Sequence, residues 1–400
     1  MSSAPRLTEP ITVPATRGTC PFDPPPAYRQ ARLEDPVSRV ELWDGSTTWM
    51  VTRYEDVRAV LGDKRFSAEA DRPNFPFTSP GRRELSTVGQ SFIRMDDPEH
   101  ARLRRMLTGD FMLKKMTALR PQVQEIADGL LDRMTADRAE ADLVAEFALP
   151  LPSLVICLLL GVPYEDHEYF QRCSRVMLDS RSKTEEILEA RQSLLDYMSR
   201  LTAEKRRSPD DGILSRLAQR EDLDNDETAR MGLLLLIAGH ETTANMTSLS
   251  VLALLQNPDQ LARLRAEPEL MNGAVEELLR YLTIVHSGVA RVAIEDIEIG
   301  GTTIPAGDGV LCMINEANRD DDAFAHGDAL DVARDARRHV AFGFGVHQCL
   351  GQPLARLELQ VALSTILRKL PGLRLAAQYE DIAFRHEMLI FGVEALPVAW

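Results

Sequence analysis

A cysteine set in a glycine-rich, aromatic loop just ahead of a helix has the surroundings of a thiolate ligand. The segment Phe342-Gly343-Phe344-Gly345-Val346-His347-Gln348-Cys349-Leu350-Gly351 runs into a helix predicted over 352–369, and Pro353 suits its first turn. Backbone N–H groups and a helix N-terminus both favour the anion. Gly345 and Gly351 permit tight turns that bring those donors near the sulfur, while Phe342 and Phe344 keep water away. The other cysteines are Cys20, Cys157, Cys173 and Cys312. They are widely spaced, and the total is odd with no C-x-x-C, so neither a disulfide framework nor a zinc ribbon is signalled. Cys157 lies in an apolar run and reads as a small buried hydrophobe.

A second group is Ala238-Gly239-His240-Glu241-Thr242-Thr243, inside an apolar helix predicted over 225–256. Gly in a helix interior costs about 1 kcal/mol, and Glu and Thr add polar groups to a buried element. One reading is a kink with Thr side chains bonded back to the helix; the other is a reactive site. His240-Glu241 begins like H-E-x-x-H, but position 244 is Ala, so that zinc motif fails. A third group is Glu277-Leu278-Leu279-Arg280. Its i, i+3 spacing shares a helix face, and alone it is most often an exposed pair worth a few tenths of a kcal/mol.

Together the three groups resemble the cytochrome P450 family. The cysteine loop matches its haem signature F-x-x-G-x-[RH]-x-C-x-G at every fixed position, and the second group matches [AG]-G-x-[DE]-T. The third matches E-x-x-R. The resemblance, spanning roughly residues 20–400, implies a multi-helical, mainly α fold with small β-sheets. It implies that Cys349 binds haem iron on the proximal side and that His347 meets a propionate. Cofactor contacts are then expected from Ala238, Gly239, Phe342, Gly343 and Gly351. Gly239 would leave room for dioxygen, with Glu241 and Thr242 an acid–alcohol pair that relays protons. Met95-Asp96-Asp97-Pro98-Glu99-His100-Ala101-Arg102-Leu103-Arg104 resembles D-P-P-E-H-x-x-x-R, which puts His100 and Arg104 on propionates with Arg291 as a third contact. Glu277 and Arg280 become a buried brace. The family's usual third Arg is replaced by Ala329, leaving Arg334, Arg337 or a backbone carbonyl to close the network.

The same resemblance places the substrate among Phe92, Ile93, Leu235, Ala238, Val289, Leu389 and Ile390. These are mostly apolar and suit a hydrophobic molecule. His286, in the same stretch, is open to a polar contact, a structural role or solvent. No residue selects a particular substrate. The chain looks nearest to soluble actinobacterial members that hydroxylate polyketides, statins and steroid-like molecules. The implied activity is a monooxygenase using O2. A peroxide-driven relative commonly lacks the acid–alcohol pair, and a non-catalytic haem carrier needs none, so Glu241-Thr242 argues against both.

Lys and Arg number 46 against 61 Asp and Glu, a net charge of -15, which argues against a general nucleic-acid binder. No G-x-G-x-x-G occurs, so electrons must come from another protein. Basic residues at Arg102, Arg104, Arg105, Lys114, Lys115 and Arg120, with Arg334, Arg337, Arg338 and Arg356, suggest an acidic ferredoxin served by an NAD(P)H-dependent reductase. The N-terminus Met1–Pro26 carries no apolar run of a secretory signal, and no apolar run reaches membrane-spanning length. A cytoplasmic monomer is expected.

The elements that must position these groups read as one domain after an irregular leader, 1–35. Strands at 39–43 and 47–52 flank the turn Asp44-Gly45-Ser46, followed by a helix from Tyr54 to Leu61 and a long loop over 67–90. Helices are predicted over 98–108, 114–137, 141–160, 164–178, 184–207, 210–220, 225–256, 258–266, 269–282 and 352–369. Short strands fall near 289–293, 297–299, 302–304 and 309–314, and in the tail, 373–400.

Overall fold

The computed structural model describes residues 11–89 and 91–400. Those residues form fourteen α-helices and eleven short strands, so the expected mainly α architecture with small sheets holds. The chain divides into two compact units. One comprises the residues up to His100 with Glu276–Cys349; the other comprises Ala101–Val275 with Leu350–Trp400. No helix among the described residues is long and apolar enough to cross a membrane.

The first unit is built on a six-stranded sheet in the order Ile11–Val13, Val37–Leu42, Thr47–Val51, Gly309–Cys312, Val289–Ala293 and Phe66–Ser67. The hairpin expected around Asp44 is present, with Val37 paired to Val51 and Gly45 at φ 77. Alternation sends neighbouring residues to opposite faces. Val310 and Cys312 join Val51 against the helix Tyr54–Gly62, with Val57, Val60 and Leu61. Leu311 and Met50 pack on the other face with Tyr28, Val40 and Phe75.

The leader is ordered where it is described, which corrects the irregular reading; residues 1–10 of it lie outside the described residues. Ile11–Val13 joins the sheet edge in parallel to residues 40–42, and Pro26–Glu34 is a helix with Tyr28 and Ala31 buried. Arg32 donates to Glu316 at 2.7 Å, both side chains nearly excluded from solvent. Arg319 donates to the carbonyls of Phe22 and Tyr281, each at 2.9 Å. The long loop also holds structure, a helix at Pro80–Thr87; its Gln90 lies outside the described residues.

The second unit centres on the helix Asn225–Gln256. It starts at a capping box in which the Asp224 carboxylate accepts from Glu227 N at 2.7 Å. The helix is buried on nearly every side, which explains why its sequence is apolar without a clear stripe. Leu113–Thr135, Pro150–Leu160, Thr184–Arg207 and Gln352–Lys369 surround the core. The helix expected over 141–160 is broken. Glu140–Asp142 is a strand paired with Pro397–Ala399, and the Asp142 carboxylate accepts from both Val144 N and Leu396 N. Helical backbone resumes directly after that side chain, first as the π-helical segment Val144–Ala148 and then as the α-helix from Pro150.

Candidate functional site

In the first unit the cysteine loop is moulded against the helix Tyr54–Gly62. Gly345 has φ +74, and a Cβ there would lie 2.3 Å from the Leu61 carbonyl oxygen, so only glycine fits. Gly351, by contrast, has φ -79, which any residue adopts; it needs no left-handed turn. The Arg58 guanidinium sits 4.4 Å from the Phe344 ring centroid and fixes that ring. Cys349 N donates to Phe342 O at 2.9 Å, which closes the loop and leaves Cys349 exposed. His339 enters this loop unannounced by the sequence. Its Nδ1 accepts from Ala341 N at 3.1 Å, so the other ring nitrogen carries the proton and donates to Glu276 at 3.2 Å.

His100 and His347 come together, their ring centroids 4.0 Å apart. His100 is 1% exposed; its Nδ1 is 3.1 Å from Asp97 Oδ1, and its Nε2 is buried without a hydrogen-bond partner among the described residues. Arg291, on the strand Val289–Ala293, is 4% exposed and donates to the Ala290 carbonyl at 2.8 Å. Burial lowers its pKa, against the favourable fields of Cys312 and Asp96. A buried ring nitrogen without a partner and a buried guanidinium on a carbonyl suit carboxylates of the kind haem propionates supply. An accessible cysteine in a rigid loop suits a single thiolate ligand. No cluster of three or more His, Cys, Asp or Glu able to hold a metal occurs among the described residues. The accessible thiol, the buried ring nitrogen of His100 and the buried Arg291 guanidinium together fit haem. Arg104 is half-buried, one turn beyond His100 on the helix Glu99–Thr108.

The brace is a densely bonded polar group. Glu277 and Arg280 are both fully excluded from solvent and pair at 2.7 Å and 2.8 Å. Arg280 also donates to the carbonyls of Asn318 and Gly327 at 2.7 Å and of Ala329 at 3.0 Å. Of the three closures left open by the sequence, Arg334 supplies the cation: its Nε donates to Glu277 Oε1 at 3.1 Å. Asp331 N donates to the same oxygen at 2.9 Å. Ala329 contributes its carbonyl, which any residue could offer. Arg337 pairs with Asp335 at the surface.

In the second unit the polar group on the long helix is arranged around Glu241. Thr242 donates to Ala238 O at 2.8 Å, the back-bonded state weighed from sequence. A Cβ on Gly239 would lie 2.6 Å from Ile156, so this glycine's missing side chain makes room for the helix Pro150–Leu160. The space attributed to dioxygen is, at that Cβ position, a packing contact. His240 is fully buried and its Nδ1 donates to Leu236 O at 2.7 Å. Burial lowers its pKa despite the opposing influences of Glu241 and that carbonyl, leaving a neutral ring whose Nε2 lone pair lies 4.0 Å from Glu241 Oε1.

Glu241 itself is 3% exposed. Asn245, one turn on, donates to Glu241 O at 2.7 Å and approaches Oε2 at 3.4 Å. Arg385, from the tail, brings Nη1 to 3.7 Å from the same oxygen and its Nε to 3.3 Å from Glu394. The i+4 spacing of Asn245 was available to a sequence reading; nothing local marked Arg385. Glu358, on Gln352–Lys369, is a further buried acid. The Thr243 hydroxyl weakly favours its charged form, yet neither carboxyl oxygen has a hydrogen-bond partner among the described residues, and burial pushes its pKa up to about 8.

The expected substrate-facing residues divide between the units. Phe92 is buried and Ile93 is 44% exposed on the turn Phe92–Arg94, while Val289 is half-buried. His286 is buried, which removes the solvent-facing option. In the second unit Leu235 and Ile390 are buried, Leu389 is half-buried and Ala238 is exposed in the covered middle of its helix.

Residues 35–371 match the family model described as Cytochrome P450. The chain is 65% identical over 403 residues to cytochrome P450-SU2 of Streptomyces griseolus, with both chains fully covered. It is 50% identical to pentalenic acid synthase of Streptomyces avermitilis, over 98% of each. The crystal structure of GfsF superposes with a TM-score of 0.91 at 46% identity, covering 98% of this chain and 100% of that one. With the cysteine loop, the brace and the acid-bearing helix in place, the chain belongs to the cytochrome P450 family of monooxygenases, which bind haem through a cysteine thiolate.

Proposed function

We propose that Cys349 is the thiolate ligand, that His100, Arg104, Arg291 and His347 receive the propionates, and that the enzyme hydroxylates or epoxidises a hydrophobic small molecule with electrons from a separate ferredoxin and its reductase. Relatives named vitamin D3 dihydroxylase and 20-oxo-5-O-mycaminosyltylactone 23-monooxygenase, 46% and 45% identical, support oxidation of a large apolar substrate. Thiolate-ligated haem supplies the oxidising chemistry, with electron donation from sulfur favouring O–O cleavage.

The protein's part is to hold the sulfur and to manage protons. The Gly345 contact with Leu61 fixes the loop, and the Phe342–Cys349 hydrogen bond fixes the cysteine backbone. Arg385 and Asn245 hold Glu241 at Oε2, and Thr242 follows it by one residue, so the pair would pass protons toward the reaction. The observation that carries the reading is this buried carboxylate beside an alcohol on the long helix, which a haem carrier has no use for. A reduced, carbon monoxide-bound spectrum of the folded protein is the test. A red-shifted thiolate band is expected in the wild type and its loss in Cys349→His; a band unchanged by that substitution overturns the assignment.

A further inference from the structure

Glu241 shows different neighbours to its two carboxyl oxygens. Oε2 faces the Arg385 guanidinium at 3.7 Å and the Asn245 amide at 3.4 Å. Oε1 lies 4.0 Å from His240 Nε2. The His240 ring is fully buried, and its Nδ1 donates to the Leu236 carbonyl, an oxygen that can only accept. Nε2 therefore presents a lone pair, and it has no hydrogen-bond partner among the described residues. The ring packs across Phe170 on the helix His167–Leu178, centroids 5.4 Å apart. Burial lowers the ring's pKa, against the opposing influences of Glu241 and the Leu236 carbonyl, so the ring stays neutral and Nε2 remains an acceptor.

Two acceptors cannot hydrogen-bond to each other. A carboxylate offers lone pairs only, so the charged form of Glu241 gains nothing from Nε2 and is served by Arg385 and Asn245. A protonated carboxyl gains one O–H donor, and the ring nitrogen beside it is the complementary acceptor. Closing 4.0 Å to about 3 Å takes a turn of the carboxyl about its terminal torsion, which is broad for Glu. A buried acceptor left unpaired is costly, so this pairing completes both groups at once.

The geometry points to His240 as a positioning residue for proton delivery, its Nε2 holding the protonated carboxyl of Glu241 while Arg385 and Asn245 hold the carboxylate. This role rests on the reading of Glu241 as a proton carrier. In the protonated state Oε1–H donates to Nε2 and the proton stays on Glu241. On its release the carboxylate turns back to Arg385, and His240 changes neither tautomer nor charge. The charges facing this pair come from the tail, Arg385 and, beyond it, Glu394 at 3.3 Å from the Arg385 Nε. The neighbouring helices meet it with Phe170 and, at Gly239, with Ile156.

The test takes the full-length, haem-loaded enzyme in its ferrous, carbon monoxide-bound form and follows the Glu241 carboxyl by infrared difference spectroscopy as pH falls. The protonated-carboxyl band should be present in wild type and absent in Glu241→Gln. In His240→Phe, which keeps a ring against Phe170, the band should move to higher frequency. It should also appear about one pH unit lower, a tenfold loss of proton affinity on the scale of one buried hydrogen bond. Product formed per reductant consumed should fall about threefold or more in that variant. No Glu241 band in wild type, the same band in wild type and His240→Phe, or unchanged coupling in His240→Phe overturns the role. A second measurement needs no change at position 240. With isotopically labelled histidine, the His240 Nε2 resonance should move with the carboxyl transition and stay fixed in Glu241→Gln; a resonance that ignores the transition likewise overturns the role. Unaltered coupling in Glu241→Gln sinks the proton-carrier reading and this role with it, whereas an infrared or resonance failure sinks the role alone. Far-UV circular dichroism establishes that each variant is folded.

Discussion

Arg385 Nη1 stands 3.7 Å from Glu241 Oε2, with side chains 4% and 3% exposed. The same guanidinium reaches Glu394, whose side chain is 43% exposed. One buried cation thus bridges an interior acid and an acid at the surface, and its Nη2 has no hydrogen-bond partner among the described residues. Arg385→Ala leaves Glu241 buried and uncompensated, a loss of about 3 kcal/mol at the lower end for broken buried pairs because 3.7 Å is a loose contact. Urea unfolding checks it. Substrate turnover in Arg385→Gln and Thr242→Ala should consume reductant with less product; unchanged coupling in both removes the proton-handling role of this helix.

The brace predicts unequal losses from its two arginines. Arg280→Ala strips Glu277 of its bidentate partner and empties three carbonyls, costing about 4 kcal/mol. Arg334→Ala removes one hydrogen bond to a carboxylate that Arg280 still holds, and its other donations, to the carbonyls of Ala325, His326 and Ala329, lie at the exposed edge where water replaces them, so the cost is about 1–2 kcal/mol. Equal shifts in the urea midpoint would contradict the geometry. Arg280→Lys should behave like the alanine variant, because one ammonium cannot reach five acceptor contacts.

Glu358 gives stability a slope with pH. Its pKa in the fold is about 8, against about 4.3 for a free glutamate. Between those values the folded state holds a proton that the unfolded chain releases, so stability falls as pH rises through this window and levels off above it. Glu358→Gln keeps the neutral shape and removes the slope. Relative to wild type it should gain about 3 kcal/mol between pH 5 and 8, read from unfolding curves at each pH. A difference that stays constant across the window refutes the assignment.

Much of the basic surface expected to meet a ferredoxin is used internally. Arg102 pairs with Glu227 at 2.6 Å and Lys115 with Asp110 at 2.8 Å, Arg356 donates to Gln352 at 2.7 Å, and Arg334 belongs to the brace. Arg105 and Lys114 are exposed and carry no ion pair among the described residues. Lys114→Glu should slow reduction by an acidic ferredoxin about threefold to tenfold at low ionic strength, with the effect shrinking as salt rises. Arg337→Glu, at a charge already paired with Asp335, should do less. Stopped-flow rates insensitive to ionic strength would count against electrostatic docking.

Local signals carried the sequence reading far. The long helix starts and stops where its capping box and Asn257 place it, and the helices 184–207, 258–266 and 352–369 have the bounds expected. The buried Glu277–Arg280 pair was legible because it sits in a short motif, as do the proposed ligand Cys349 and the proposed pair Glu241-Thr242. Contacts over long separations were not. Asn245 and Arg385 are 140 residues apart, and Arg334 reaches back 57 residues to Glu277; no periodicity encodes either. The break at 141–160 was hidden because Asp142 acts through a tail residue, Leu396. Gly239 was legible as a glycine but not as the place where Ile156 fits.

The pairing of Arg32 with Glu316, and of Arg319 with the Phe22 carbonyl, also sets a clock. The partners are 284 and 297 residues apart. At ribosomal rates of roughly 5–20 residues per second, the N-terminal helix waits about 15–60 s for them to be made. Throughout that interval the edge strand Ile11–Val13 and the hairpin lack the strand Gly309–Cys312 that completes their sheet. The nascent chain therefore exposes Val40, Met50 and Tyr28 while the helices of 101–275 are already emerging. Slow translation lengthens that exposure, so expression yield should respond to whatever shields the first fifty residues until residue 319 has left the ribosome.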